Sequence, residues 1–347
     1  MTISNVSIYK TDNKKTYLKD IILSLLVFLL IIILLTNPKK YALTILDGLL
    51  LFSRSVLPGL FPFMFLTRIL TNMNSVKLLS TKCNKLTNKL FSSPGIGAYT
   101  LLISQLSGYP VGAKIIGDLH SNNQITDIAA KRMLSYSMTS GPAFIVGTVG
   151  ALMFESALIG IIILISHFAS NIINGIIFSK LIIKDKNKKR YNNSSTLNLK
   201  TTNTDKILSD SMYSSVQSIL IVGGFISVFY CFSAILTDIG LFSFIGWPIS
   251  KLLEFIGISQ NFTHGIMTGI IEVTSGCKEI SLLYKSYPVI SVSLSSALIS
   301  FSGLCILFQS KAFLSGIKIK TRFLIILKSV HSIISFIICC IISSLLL

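Results

Sequence analysis

Charged side chains inside apolar runs have the most chemistry to offer in this sequence. Lys114 and Asp118 sit in S-Q-L-S-G-Y-P-V-G-A-K-I-I-G-D (104–118), and Glu272, Lys278 and Glu279 in G-I-I-E-V-T-S-G-C-K-E-I (269–280). A charge at bilayer depth is costly, so it pairs, faces water or reaches an interface. Glu272, between Ile271 and Val273, suits an ion or proton site, or an acceptor for a polar substrate. Lys114 and Lys278 admit a plainer use, snorkelling to the membrane interface as anchors. Cys277 beside Lys278 has the look of a nucleophile. No histidine lies near it in sequence to act as base, so an enzyme is not expected.

The same stretches carry residues that a plain spanning helix avoids. Ser107, Gly108, Tyr109, Pro110 and Gly112 interrupt the first, and Thr274, Ser275 and Gly276 the second. Further Ser-Gly steps occur at Ser140-Gly141, followed by Pro142, and at Ser302-Gly303, with Gln309 downstream. In hydrocarbon every backbone N–H and C=O needs an internal partner, so broken backbone survives only where protein or a water-filled cavity surrounds it. Glycine lets a helix stop and a ligand approach, and half-helix N-termini aim partial positive charge at a polar or anionic group. One Ser-Gly step reads as close helix packing. Four at corresponding places in two halves point to a transporter's binding site. All these residues are candidates to line it, with Ser107, Gly108, Lys114, Glu272, Ser275 and Gly276 innermost. No cofactor or metal is expected, and a coupling H⁺ or Na⁺ would bind at Glu272.

The elements that position these residues are apolar helices. The chain has 347 residues, 51% of them apolar and 13% charged, with a mean hydropathy of +0.74. Such a chain is a polytopic all-α membrane protein and not a soluble domain. The net charge of +18 sits in short loops between apolar runs, which fits cytoplasmic loop charge and anionic lipid and excludes a nucleic-acid face. The six cysteines form no CxxC pair and have no histidines at metal spacing, so reduced thiols are expected.

Residues 1–17 are polar and expected to be disordered, and 18–36 form a retained first span. A first repeat covers 41–183. Within it come one crossing at 41–70, an amphipathic helix at 76–90, the broken element at 94–119, a helix start at Thr126, an interrupted run at 135–154 and a span at 156–183. Asp47 and Arg54, seven apart, share a helix face and could pair. A basic loop, 184–206, divides the halves. The second repeat, 207–347, runs in the same order: a span to 236, an interfacial stretch at 241–258, the broken element at 265–284, an interrupted run at 289–308 and a last span at 323–347. If both broken elements are re-entrant hairpins, each repeat crosses three times and the second is inverted. With the N-terminus inside, cytoplasmic segments collect 21 lysines and arginines against four outside, in keeping with the positive-inside rule.

The stretches L-S-G-Y-P-V-G-A-K (106–114), S-G-P-A-F-I-V-G-T-V-G (140–150), E-V-T-S-G-C-K (272–278) and F-S-G-L-C-I-L-F-Q (301–309) resemble the YlbJ family of sporulation integral membrane proteins of spore-forming Firmicutes. The resemblance covers about residues 40–345. It implies a Gate-type domain named for nucleoside recognition, similar to pieces of concentrative nucleoside transporters and of the ferrous-iron transporter's membrane part. It implies a role in spore formation at the cortex stage, and transport. Three positions depart from the family pattern: Ser140 and Ser275 stand where the family has asparagine, so the side-chain amides that the resemblance would offer a substrate are absent there, and Ser302 stands where it has glycine.

The expected function is therefore an inverted-repeat transporter of a polar small molecule, held near the midplane between the two broken hairpins. The alternative is a non-transporting organiser that recruits spore-envelope machinery through its cytoplasmic loops. Location in the cell membrane is expected, in the forespore or mother cell, with a cytoplasmic N-terminus. Association into a homo-oligomer stays open.

Overall fold

The computed structural model describes residues 14–71, 75–182 and 204–347. All its elements are helices, and among the described residues five helical runs, two of them made of successive elements, are long and apolar enough to cross a membrane. The opening helix is α1 (Lys14–Thr36), so residues 14–17 belong to a helix and are not the disordered arm expected from their polarity; residues 1–13 lie outside the described part.

The first half follows as α2 (Pro38–Leu51), π1 (Phe52–Val56), α3 (Leu57–Thr71), α4 (Ser75–Phe91), α5 (Ile96–Ser107), α6 (Val111–Ser121), α7 (Asp127–Ser137), π2 (Ala143–Met153) and α8 (Ala157–Leu181). The second half has α9 (Thr204–Asp238), α10 (Leu241–Phe255), α11 (Phe262–Ile271), α12 (Val273–Ser281), α13 (Pro288–Phe301), α14 (Gly303–Phe313) and α15 (Thr321–Leu346). Each half contains a long span, an amphipathic helix, a hairpin of two half-length helices, an interrupted span and a full span, in that order. The dividing loop lies outside the described residues, apart from its last three, which begin α9.

Local chemistry sets the boundaries. Asn37 caps α2, accepting from Lys40 N at 3.3 Å, and Pro38 takes the first helical position, where a missing N–H costs nothing. Thr126 caps α7 by accepting from Ala129 N, and Ser156 caps α8 by accepting from Ile159 N. Asp47 and Arg54 form no ion pair among the described residues. The wider π1 turn from Phe52 changes the winding between them, so a seven-residue spacing no longer marks one face. Lys40 instead pairs with Asp238 at 2.6 Å, tying the start of α2 to the end of α9.

The core is divided among the breaks. One cluster surrounds Met133, Leu134 and Tyr136 of α7, and another joins Ile145 of π2 to Ile280 of α12 and Ile299 of α13. α13 and α15 meet along a serine seam. Ser296 Oγ lies 2.7 Å from Ser335 Oγ, Ser332 Oγ donates to Ala297 O at 2.8 Å, and Ser293 Oγ faces Ser343 Oγ at 3.4 Å. Small hydroxyl residues let two helices approach closely without stranding polar groups.

Candidate functional site

Four interruptions of helical backbone meet inside the bundle. At the first, α5 ends on Gly108, whose N–H donates to Ser104 O at 2.8 Å. Gly108 adopts φ 76, ψ −168, a region essentially restricted to glycine. A Cβ there would come within 2.6 Å of Gly141 N. The chain turns through a cis Tyr109-Pro110 bond, and α6 starts at Val111. Gly112 lies so close to α7 that a Cβ would collide with Ser137 O. The first interruption is thus packed backbone to backbone on the second.

The second interruption, Met138 to Pro142, leaves the last carbonyls of α7 without helical partners. Side chains supply them. From α8, Asn174 Nδ2 donates to Ser135 O at 2.9 Å and Asn171 Nδ2 to Tyr136 O at 2.6 Å, while Lys328 Nζ of α15 donates to Met138 O at 2.9 Å. On the far side of the gap Ser140 N donates to His167 Nε2 at 2.9 Å. Asn171→Ala is expected to lower stability by about 1–3 kcal/mol, because it strands a buried carbonyl. The thermal midpoint of the detergent-solubilised protein checks this, and an unchanged midpoint would show that the interruption is held by other contacts.

At the third interruption Glu272 ends α11 and caps α12. Its Oε1 accepts from Thr274 N at 2.9 Å, and its Oε2 accepts from Ser275 N and Ser275 Oγ, both at 2.8 Å. The carboxylate therefore already occupies the positive end of α12. A Cβ on Gly276 would run into the Cα of Gly269, so α11 and α12 cross at van der Waals contact of their backbones. The fourth interruption is left-handed at Ser302 (φ 76) and Gly303 (φ 68), with Gly303 against Ile271 O and Val273 N. Gly108 therefore faces Gly141, and Gly276 faces Gly269; the two hairpins do not meet glycine to glycine.

Between the interruptions lies a narrow pocket of about 490 Å³ including its open side. Its polar lining is Tyr109, Ser140, Glu272, Thr274 and Gln309, and α3, π2, α9 and α14 supply apolar walls such as Leu60, Phe144, Val222 and Ile306. The other expected site residues fall elsewhere. Ser107 is buried, donating to Thr67 Oγ1 at 3.1 Å, and Ser275 spends its hydroxyl on Glu272. Lys114 Nζ reaches Ser218 Oγ at 2.6 Å in a separate crevice that Arg68 also lines. Lys278 is exposed because it projects from the outer face of α12, and Cys277 is buried against Ser295 O. Gly108, Pro110, Gly112, Gly141, Pro142, Gly276, Ser302 and Gly303 shape the backbone around the pocket without lining it. Among the described residues no group of His, Cys, Asp and Glu could hold a metal ion.

Sequence reasoning passed over Lys328, His331 and His167. All three are fully buried. Their signal was available: a lysine and a histidine three apart within an apolar span, and His167, Asn171 and Asn174 at helical spacing on one face.

No family model matches the chain. Its sequence is 28% identical over 294 residues, 79% of this chain and 71% of the other, to the sporulation integral membrane protein YlbJ of Bacillus subtilis (strain 168). The chain is a relative of YlbJ. Its fold is also that of a solved structure, a variant of CNTnw in the intermediate 1 state, with a TM-score of 0.60 at 17% identity over 82% of this chain and 74% of that one. The YlbJ relationship and the apolar helices together make this a multi-pass membrane protein.

Proposed function

We propose that this YlbJ relative acts in sporulation as a membrane transporter of a neutral polar small molecule, bound where the four interruptions meet. The observation that supports it most is the pocket itself: an apolar wall interrupted by five polar groups drawn from both halves. Small-molecule sites have this character, with a mostly apolar lining and a few placed polar groups. Glu272 rules the substrate's charge. A carboxylate already fills the α12 N-terminus, so a substrate carboxylate or phosphate would meet repulsion, whereas a hydroxyl or N–H can donate to the free lone pair of Oε1. The two halves then act as inverted repeats that rock about the pocket. The Gate-type, nucleoside-recognising character that the sequence resemblance implies fits this substrate class, and the shared fold with CNTnw supports the same reading.

The test is uptake by proteoliposomes offered a mixture of nucleosides and other neutral metabolites, read by mass spectrometry. Purified protein should accumulate at least one compound above empty vesicles, Gln309→Ala should reduce it several-fold, and the surface change Lys278→Ala should leave it unaltered. No accumulation of any neutral polar compound would overturn the reading in favour of an organiser of the spore envelope.

A further inference from the structure

Lys328 is the most demanding residue in the molecule. It is fully buried in α15, and no carboxylate pairs with it among the described residues. It lies about 10 Å along a helix of about 39 Å, so its ammonium cannot be dismissed as an end anchor. Three acceptors surround Nζ: Tyr109 Oη at 2.5 Å, Met138 O at 2.9 Å and His331 Nδ1 at 3.1 Å. An ammonium has three donors, so each is matched.

The neighbouring imidazoles are fixed as neutral by their own partners. Ser140 N–H must donate to His167 Nε2, which leaves the proton on Nδ1, 2.8 Å from Ser300 Oγ. His331 Nε2 lies 3.2 Å from His167 O and so must donate, which leaves Nδ1 to accept from Lys328. The other elements packed here add no charge: α13 has no ionisable residue, α8 brings His167 to the cluster and carries its Lys180 exposed in the last turn, and the turn after Gly108 offers Tyr109. The cluster therefore has one group free to gain or lose a proton. Loss of that proton leaves the amine satisfied, since the Tyr109 hydroxyl can turn from Ile299 O, to which it donates at 3.4 Å, and donate to the amine while the two amine N–H groups keep Met138 O and His331 Nδ1. A buried lysine without a counter-charge has reason to use both states, since burial disfavours the charged form.

Two residues belong to both this cluster and the pocket. Tyr109 and Ser140 line the pocket. They also hold Lys328 and His167 directly. We propose that Lys328 is a reversible proton-binding site, relayed through Tyr109 to the pocket, and that it couples proton movement to substrate occupancy. The coupling half rests on the transport reading above; the proton site does not. A bound proton makes Tyr109 an acceptor, and its loss turns the Tyr109 O–H towards the amine, so the hydrogen bonds Tyr109 can offer a substrate change with the state of Lys328. This places the coupling proton on α15 and leaves Glu272 to cap α12 and accept from the substrate.

Two measurements separate the claims. Potentiometric titration of purified protein between pH 5 and 9 should show one more proton bound by wild type than by Lys328→Met. Lys328→Arg, which keeps the charge and cannot titrate, should lose the same proton and serves if the methionine variant fails to fold. Equal proton uptake in all three overturns the proposal. In proteoliposomes, uptake of the compound identified above should rise at least five-fold with an inward proton gradient and ignore a Na⁺ gradient. Lys328→Met should abolish that stimulation while substrate exchange at equal pH persists. Stimulation that survives in Lys328→Met, or that follows Na⁺, overturns the coupling. A one-proton difference in a protein that transports nothing sinks the transport reading and leaves the proton site standing.

Discussion

Gly108→Leu is expected to yield little folded protein. The native residue has φ 76, ψ −168, where a side chain adds about 1–3 kcal/mol of strain. The new Cβ would also sit 2.6 Å from Gly141 N, and a backbone atom cannot move aside as a flexible side chain can. Overpacking of that kind costs about 1–3 kcal/mol, so the two effects remove about 2–6 kcal/mol from a protein with a net stability of about 5–15. Recovery as a monodisperse peak from detergent should collapse for Gly108→Leu and fall less for Gly108→Ala. A leucine variant that is recovered and melts like wild type would mean that the contact between the first two interruptions is dispensable.

Glu272 should separate fold from transport. Glu272→Gln keeps the shape but offers one acceptor oxygen and places an amide N–H against the donors Ser275 N and Oγ. Losing a charged acceptor costs about 1.5–3 kcal/mol for each bond, so the thermal midpoint should drop and uptake fall more than tenfold. Glu272→Asp retains a good capping residue and should largely keep the midpoint. Its carboxylate withdraws by one methylene from the pocket, so uptake should still fall. Unchanged melting and unchanged uptake in Glu272→Gln would remove this residue from both roles.

The order of elements was legible because glycine, proline and serine inside apolar runs are hard to explain any other way. Gly108-Tyr109-Pro110, Ser140-Gly141-Pro142 and Ser302-Gly303 each fall where a helix stops, whereas Thr274, Ser275 and Gly276 lie inside α12 and the second hairpin breaks at Glu272, whose side chain caps the new helix. Polarity placed α4 and α10 outside the candidate spans, and Thr126 announced the start of α7. What could not be read was who meets whom. Glycine shows that two backbones come close, and says nothing of which partner is opposite: Gly108 stands against Gly141, and Gly276 against Gly269. Lys114 and Lys278 drew notice by sitting beside broken backbone, yet one lies in its own crevice and the other is exposed. Lys328 was hidden by an otherwise ordinary last span. Its role depends on Tyr109 and Met138, which are about two hundred residues away in sequence. Asp47 and Arg54 failed for a different reason, since a π turn alters the periodicity on which spacing arguments rely.

The seam between α13 and α15 bears on how such a molecule could change shape. Ser293 Oγ also donates to Val289 O at 2.7 Å, and Ser343 Oγ to Cys339 O at 2.5 Å, each within its own helix. A hydroxyl with that fallback loses nothing when the opposite serine slips past, so sliding is cheap at that end of the seam, whereas Ser332, which donates across it to Ala297 O, resists sliding nearer Lys328. Prising them apart is another matter, because it would turn a row of buried oxygens towards lipid. The joint is thus slippery at its Ser343 end, and pinned lengthwise as well as across beside Lys328.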